Sequence, residues 1–147
     1  MIRGTVDPMQ AELQRRLDEA STEPSKRAVG ELTLLLARLI VTPTTIALRR
    51  LLIAEADRFP DLAQEWYRAG PAQALQRLEG YVERLAQQGA VSVASAREAA
   101  EVLLWLAIST PLNRLMFAPS GTEPEPGELE RAAASAADVF WRSYRSG

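Results

Sequence analysis

Cysteine and histidine are both missing from the 147 residues of this chain. Without cysteine there is no disulfide framework and no thiol chemistry. Without histidine the commonest metal ligand and general base are gone. The sequence also lacks a glycine-rich phosphate loop, an HExxH motif and a nucleophile elbow. Its carboxylates lie on helical surfaces, mostly near arginine or lysine, where solvated ion pairing accounts for them. The expectation is that the chain is not an enzyme and has no catalytic residue, no metal and no cofactor. No apolar run approaches the eighteen or so residues that a membrane span needs. The opening MIRGTVDPMQ holds no apolar core of a secretory signal. A cytoplasmic protein with no membrane association is expected. Strand signals are nearly absent too, no alternating apolar and polar run reaching six residues, which argues against a sheet.

What is present is an ordinary globular mixture, 47% hydrophobic and 24% charged, with a net charge of -2 and a pI near 5.3. The length suits one domain, residues 1–147, with a core of useful size. A domain that binds nucleic acid by itself usually carries a basic face and a higher pI, so this balance speaks against an autonomous DNA binder.

Helical periodicity recurs along the chain. Residues 1–20 place Ile2, Val6, Met9, Leu13 and Leu17 near helical spacing, with Pro8 expected to kink or delay the helix. A polar break, STEPS, follows at residues 21–25. Residues 26–41 form the next helix, with Val29, Leu32, Leu36 and Leu39 as its core stripe. Thr42-Pro43 closes it and opens another, threonine as cap and proline at the first helical position. Residues 44–58 then put Leu48, Leu51, Leu52 and Phe59 on one arc. Phe59-Pro60 breaks the chain before a short helix over residues 60–68. Residues 71–88 face Leu75, Leu78, Val82 and Leu85 inward, and Gly89 stops that helix. The longest element covers residues 95–117, opened by a Ser95/Glu98 capping box and interrupted at Thr110-Pro111. Its VLLWLAI run, residues 102–108, is apolar on every side and is expected to be buried all round. A loop rich in proline and glycine covers residues 118–127, and a final helix covers residues 128–144. The fold class is all-α, with about seven helices counting the short one.

The stretch at residues 47–71, ALRRLLIAEADRFPDLAQEWYRAGP, organises the rest. Ile53, Ala54, Glu55, Ala56, Arg58, Phe59, Pro60, Asp61 and Leu62, followed by Trp66 and Tyr67 and then Ala69, Gly70 and Pro71, form an ordered pattern. It resembles the regulatory domain of the TetR family of transcription regulators, in its AefR-like branch. The resemblance implies a C-terminal bundle that binds a small apolar or amphipathic effector and forms a homodimer through its last two long helices. Effector binding would shift the balance between two dimer geometries and so the spacing of the DNA-reading heads. It also implies that the DNA-binding helices lie before Met1. The chain is then expected to lack its own helix-turn-helix and to reach DNA only through that domain. Residues 1–20 would be the remnant of the connecting helix. A repressor is the usual case in the family. Two other readings are a stand-alone helical module that heterodimerises with full-length regulators, and a small-molecule carrier.

Binding sites between bundled helices are apolar with a few orienting polar groups. On that basis, and on the resemblance, the expected effector pocket is Leu36, Leu52, Glu55, Phe59, Trp66, Leu78, Trp105, Ser109 and Met116, with Thr110 and Asn113 as further polar candidates. Glu55 falls mid-arc between Leu48, Leu52 and Phe59. There a carboxylate must be paired by an arginine or by hydroxyl and backbone donors, or must point into the cavity. The expected dimer interface is Val102, Leu106, Leu129, Ala132, Ala133, Ala136 and Phe140, because small residues let helices approach closely in a two-fold pairing. Arg142 and Arg145 suit the C-terminal end of a helix dipole and need no ligand.

Overall fold

The computed structural model describes residues 2–147; the side chains of residues 2–7, 9 and 10 lie outside the description, and with them Ile2, Val6 and Met9 of the first stripe. Seven helices stand in order among the described residues: α1 (Ile2–Thr22), α2 (Lys26–Ile40), α3 (Pro43–Ala54), α4 (Pro60–Ala69), α5 (Pro71–Gln87), α6 (Ala96–Met116) and α7 (Glu128–Tyr144). No strand forms; the one sheet-like feature among these residues is an isolated antiparallel bridge between Val91 and Arg145. It seats the end of α7 on the α5–α6 connector, with the Ser92 amide donating to the Tyr144 carbonyl at 2.7 Å.

Local chemistry explains most helix boundaries. The Ser25 hydroxyl accepts from the Ala28 amide at the start of α2, Thr42 accepts from Thr45 at α3, and Ser95 accepts from Glu98 at α6. Each satisfies an amide that the first turn leaves unpaired. Proline occupies the first position of α3, α4 and α5, where its missing N–H costs nothing. Gly89, at φ 77°, takes the left-handed conformation that ends α5, and Gly127, at φ 78°, does the same just before α7.

The core lies where α2, α5, α6 and α7 meet, and α1 packs on α2 and α5. Val29, Leu32 and Leu36 of α2 meet Leu103, Ala107 and Ile108 of α6 and Ala136, Ala137 and Phe140 of α7 in one cluster. On α5 the expected Leu75, Leu78, Val82 and Leu85 are all buried, and so is Tyr81. Close helix approach is visible at Gly30 of α2, where an added Cβ would stand 3.5 Å from the Ala137 Cβ of α7.

Several expectations are corrected. The break after α1 begins later than residue 21: Ser21 and Thr22 are still helical, their hydroxyls donating back to the Leu17 and Glu19 carbonyls. Neither Pro8 nor Pro111 ends its helix. Pro111 is buried among apolar neighbours, and packing on α6 outweighs the hydrogen bond it removes. The organising helix ends at Ala54, not at residue 58; residues 55–58 are a turn, with the Arg58 and Phe59 amides both donating to the Glu55 carbonyl. Proline disfavours helical backbone at the residue before it, and Phe59 is non-helical at φ -128°, ψ 64°. The arc that assumed an unbroken helix is lost with it: Leu52 is buried, whereas Leu48, Leu51 and Phe59 are exposed. Glu55 becomes the half-buried C-cap residue of α3, its carboxylate in none of the side-chain hydrogen bonds or ion pairs among the described residues. Nor is the VLLWLAI run covered all round. Leu103, Leu104, Ala107 and Ile108 are buried, but Val102, Trp105 and Leu106 are 41%, 50% and 46% exposed. The chain leaves this face of α6 uncovered.

Candidate functional site

The residues expected to share a pocket fall in separate places. Leu36 and Leu78 are closed inside the core, and Leu52 is buried on the inner side of α3. Met116 and Trp66 are half-buried, while Phe59, Ser109, Thr110 and Asn113 are exposed. Trp66 carries the Arg49 guanidinium 5.5 Å above its ring, a contact that clasps α3 to α4. Burial there lowers the Arg49 pKa, and its Nε has no hydrogen-bond partner among the described residues. None of these side chains lines the groove between α1 and α5 or the one formed by α1 and the start of α2.

One groove, of about 410 Å³, runs between α1 and α5 and is lined by Gln14, Gln73, Gln76, Arg77, Gly80 and Arg84. Polar side chains link its two walls. Arg77 Nη1 donates to Gln14 Oε1 at 3.0 Å, Gln14 Nε2 donates to Asp18 Oδ1 at 3.0 Å, and Arg84 Nη1 donates to the same oxygen at 2.9 Å. The bonds from Arg84 and Gln14 hold the Asp18 carboxyl below the usual aspartate range. In the same turn of α5 lies Tyr81, fully buried, its hydroxyl without a hydrogen-bond partner among the described residues. Burial pushes this phenol up to about 12, with the Arg84 charge opposing. The Arg84 Nε is likewise buried and unpartnered. Sequence reasoning passed over both residues. The signal was available: tyrosine next to Val82 on an inward face puts a hydroxyl where apolar spacing predicts only core.

The residues expected at the dimer interface divide cleanly. Val102 and Leu106 stand exposed on α6, and Trp105, expected in the pocket, joins them on the same stripe. Leu129, Ala133, Ala136 and Phe140 are buried within the chain itself, and Ala132 is half-buried. The alanine face of α7 therefore serves the close packing of α2, α6 and α7 within one chain. Val139 is exposed on α7. Outside the stripe, ion pairs brace α7 against the bundle: Arg38 to Glu130 at 2.6 Å, Lys26 to Asp138 at 3.4 Å, and Arg114 to Glu128 at the loop between α6 and α7. Bonds from Arg38 hold the Glu130 carboxyl below its ordinary range.

An all-helical bundle with a long exposed stripe on its penultimate helix can be compared with known proteins. Residues 27–146 match the family model described as AefR-like transcriptional repressor, C-terminal domain. No curated protein matches in sequence. Among solved structures, a protein from Mesorhizobium loti assigned to the TetR-family transcriptional regulators superposes with a TM-score of 0.87 at 25% identity, covering 97% of this chain and 70% of that one. With the IAEA–RFP–AGP pattern now seated at the α3–α4–α5 turns and the match running from α2 to the end of α7, the chain belongs to the TetR family of transcriptional regulators, as a C-terminal domain of the AefR-like type.

Proposed function

We propose that this chain is the effector-sensing and pairing part of a TetR-type repressor, acting as a homodimer in the cytoplasm. In this reading residues 1–147 are one regulatory domain and residues 1–20 belong to the helix that connects to the DNA-binding heads. DNA is reached only through those heads, and a small amphipathic molecule sets their spacing by shifting the population of dimer geometries. The observation that supports pairing is the stripe of Val102, Trp105 and Leu106 on α6, each about half exposed. Large apolar side chains at spacing three and four on one helix mark a face that a partner covers. A second copy offers the same face to the first, the usual closed two-fold arrangement.

Light scattering on the purified chain tests pairing. The expected mass at tens of micromolar is that of two 16.2 kDa chains; a monomer overturns the dimer. Sensing is tested by melting the chain with uncharged aliphatic alcohols and carboxylates of equal length. At least one class raises the melting temperature if the domain holds a small molecule, and no shift from any of them overturns sensing.

A further inference from the structure

We propose that the groove between α1 and α5 holds the anionic head of the effector, a carboxylate, with Arg84 and the Tyr81 hydroxyl as its donors. This rests on the sensing reading above and names the chemistry of what is sensed. Three observations converge on one turn of α5. Among the described residues the lining is two arginines, three glutamines and a glycine, with no acid. Tyr81 is fully buried, and neither its hydroxyl nor the Arg84 Nε has a partner. A buried donor left unmade is costly, and native interiors seldom tolerate it without a use. Third, a Cβ added at Gly80 would meet nothing within 4 Å, so the groove reaches the helix backbone between Arg77 and Arg84.

The chemistry follows from the donors. A guanidinium and a phenol both donate, so the ligand group must accept; two arginines without a lining carboxylate favour an acceptor that is negative. Leu13 and Leu17 of α1 and Leu78 and Leu85 of α5 belong to the adjoining core, which gives an aliphatic tail an apolar wall. A small aliphatic carboxylic acid meets both demands. Arg84 at present donates to Asp18 of α1. An arriving carboxylate competes with Asp18 for that guanidinium, so binding loosens a tie between α1 and α5.

The test uses octanoate, octan-1-ol and octylamine, titrated by calorimetry into the full chain and three variants. Octanoate is expected to bind, octylamine not. Tyr81→Phe should weaken octanoate about tenfold, the usual effect of losing a hydrogen bond to a charged group. Gly80→Leu, which fills open space and leaves the core untouched, should weaken it at least as much. Asp18→Asn removes the competitor and should tighten it. Without ligand, Tyr81→Phe should melt at or above the parent temperature, since it deletes an unpaired hydroxyl. A Tyr81→Phe chain that melts several degrees lower makes the hydroxyl structural and overturns the inference. Equal octanoate affinity in parent and Tyr81→Phe overturns it as well. If octan-1-ol binds and octanoate does not, sensing stands and the anionic anchor falls; if neither binds, both fall.

Discussion

Tyr81 carries a stability signature of its own, a phenol closed inside the core. Its phenol is raised to about 12 by burial, so the protonated form is favoured in the folded state. The stability that this represents is complete below pH 10, the ordinary tyrosine value, and is lost as pH rises through 10 towards 12. The expected loss is about 2 kcal/mol at pH 12. Denaturant melts between pH 9 and pH 12 measure it, and Tyr81→Phe should remove that part of the alkaline slope; an unchanged slope contradicts the assignment. Asp18 works in the other direction. Its depressed pKa means that the Arg84 and Gln14 bonds stabilise above the ordinary value of 3.8 and fade as pH falls through the lowered one. Gly30 and Gly80, both helical, differ in what surrounds them. Gly80→Ala meets open space and should stabilise by up to about 1 kcal/mol through helix propensity. Gly30→Leu must push α2 from α7 at Ala137 and should cost about 1–3 kcal/mol, read from urea midpoints.

At the scale of the element, capping and packing contribute separately. Ser25→Ala and Ser95→Ala each remove one acceptor from a first turn and should cost about 0.5–2 kcal/mol. The α3–α4 turn is a different case. Glu55 caps α3 half-exposed, without a side-chain partner among the described residues, so Glu55→Gln should change stability by no more than about 0.5 kcal/mol. A loss of several kcal/mol would mean that its carboxylate is held. The α3–α4 pair buries little: Leu52 and Ile46 are covered, but α4 has no buried residue. Elements with few buried apolar contacts open first, so amides of α4 should exchange with solvent faster than those of α2 or α7.

For the whole molecule the decisive contrast lies between two apolar faces. Leu106→Glu or Trp105→Glu places charge on the exposed stripe of α6; monomeric but fully helical protein is the expected result. Ala136→Glu places charge inside the protomer, 1% exposed beside α2 and α6, and should unfold the chain rather than separate two chains. Light scattering and circular dichroism together distinguish the outcomes, and a folded monomer from Ala136→Glu would show that α7 packs otherwise.

Much of the architecture was legible because local interactions decide it. The caps at Thr42 and Ser95, the prolines that open helices, and the glycine that ends α5 are short-range rules, and they place most helix ends to within a residue or two. The inward face of α5 followed from spacing alone. The family resemblance at residues 53–71 was likewise carried by residue order. What spacing could not decide was which of two apolar faces a protomer covers for itself. Ala133, Ala136 and Phe140 and the stripe of Val102, Trp105 and Leu106 look alike as periodic apolar positions, because periodicity reports burial but not by what. Only the packing of α7 against α2 and α6 assigns the first set to the protomer core and leaves the second exposed. The polar groove is of the same kind. Gln14 and Asp18 come from α1 and Arg77 and Arg84 from α5, more than sixty residues apart, and nothing in either helix alone signals that their side chains meet.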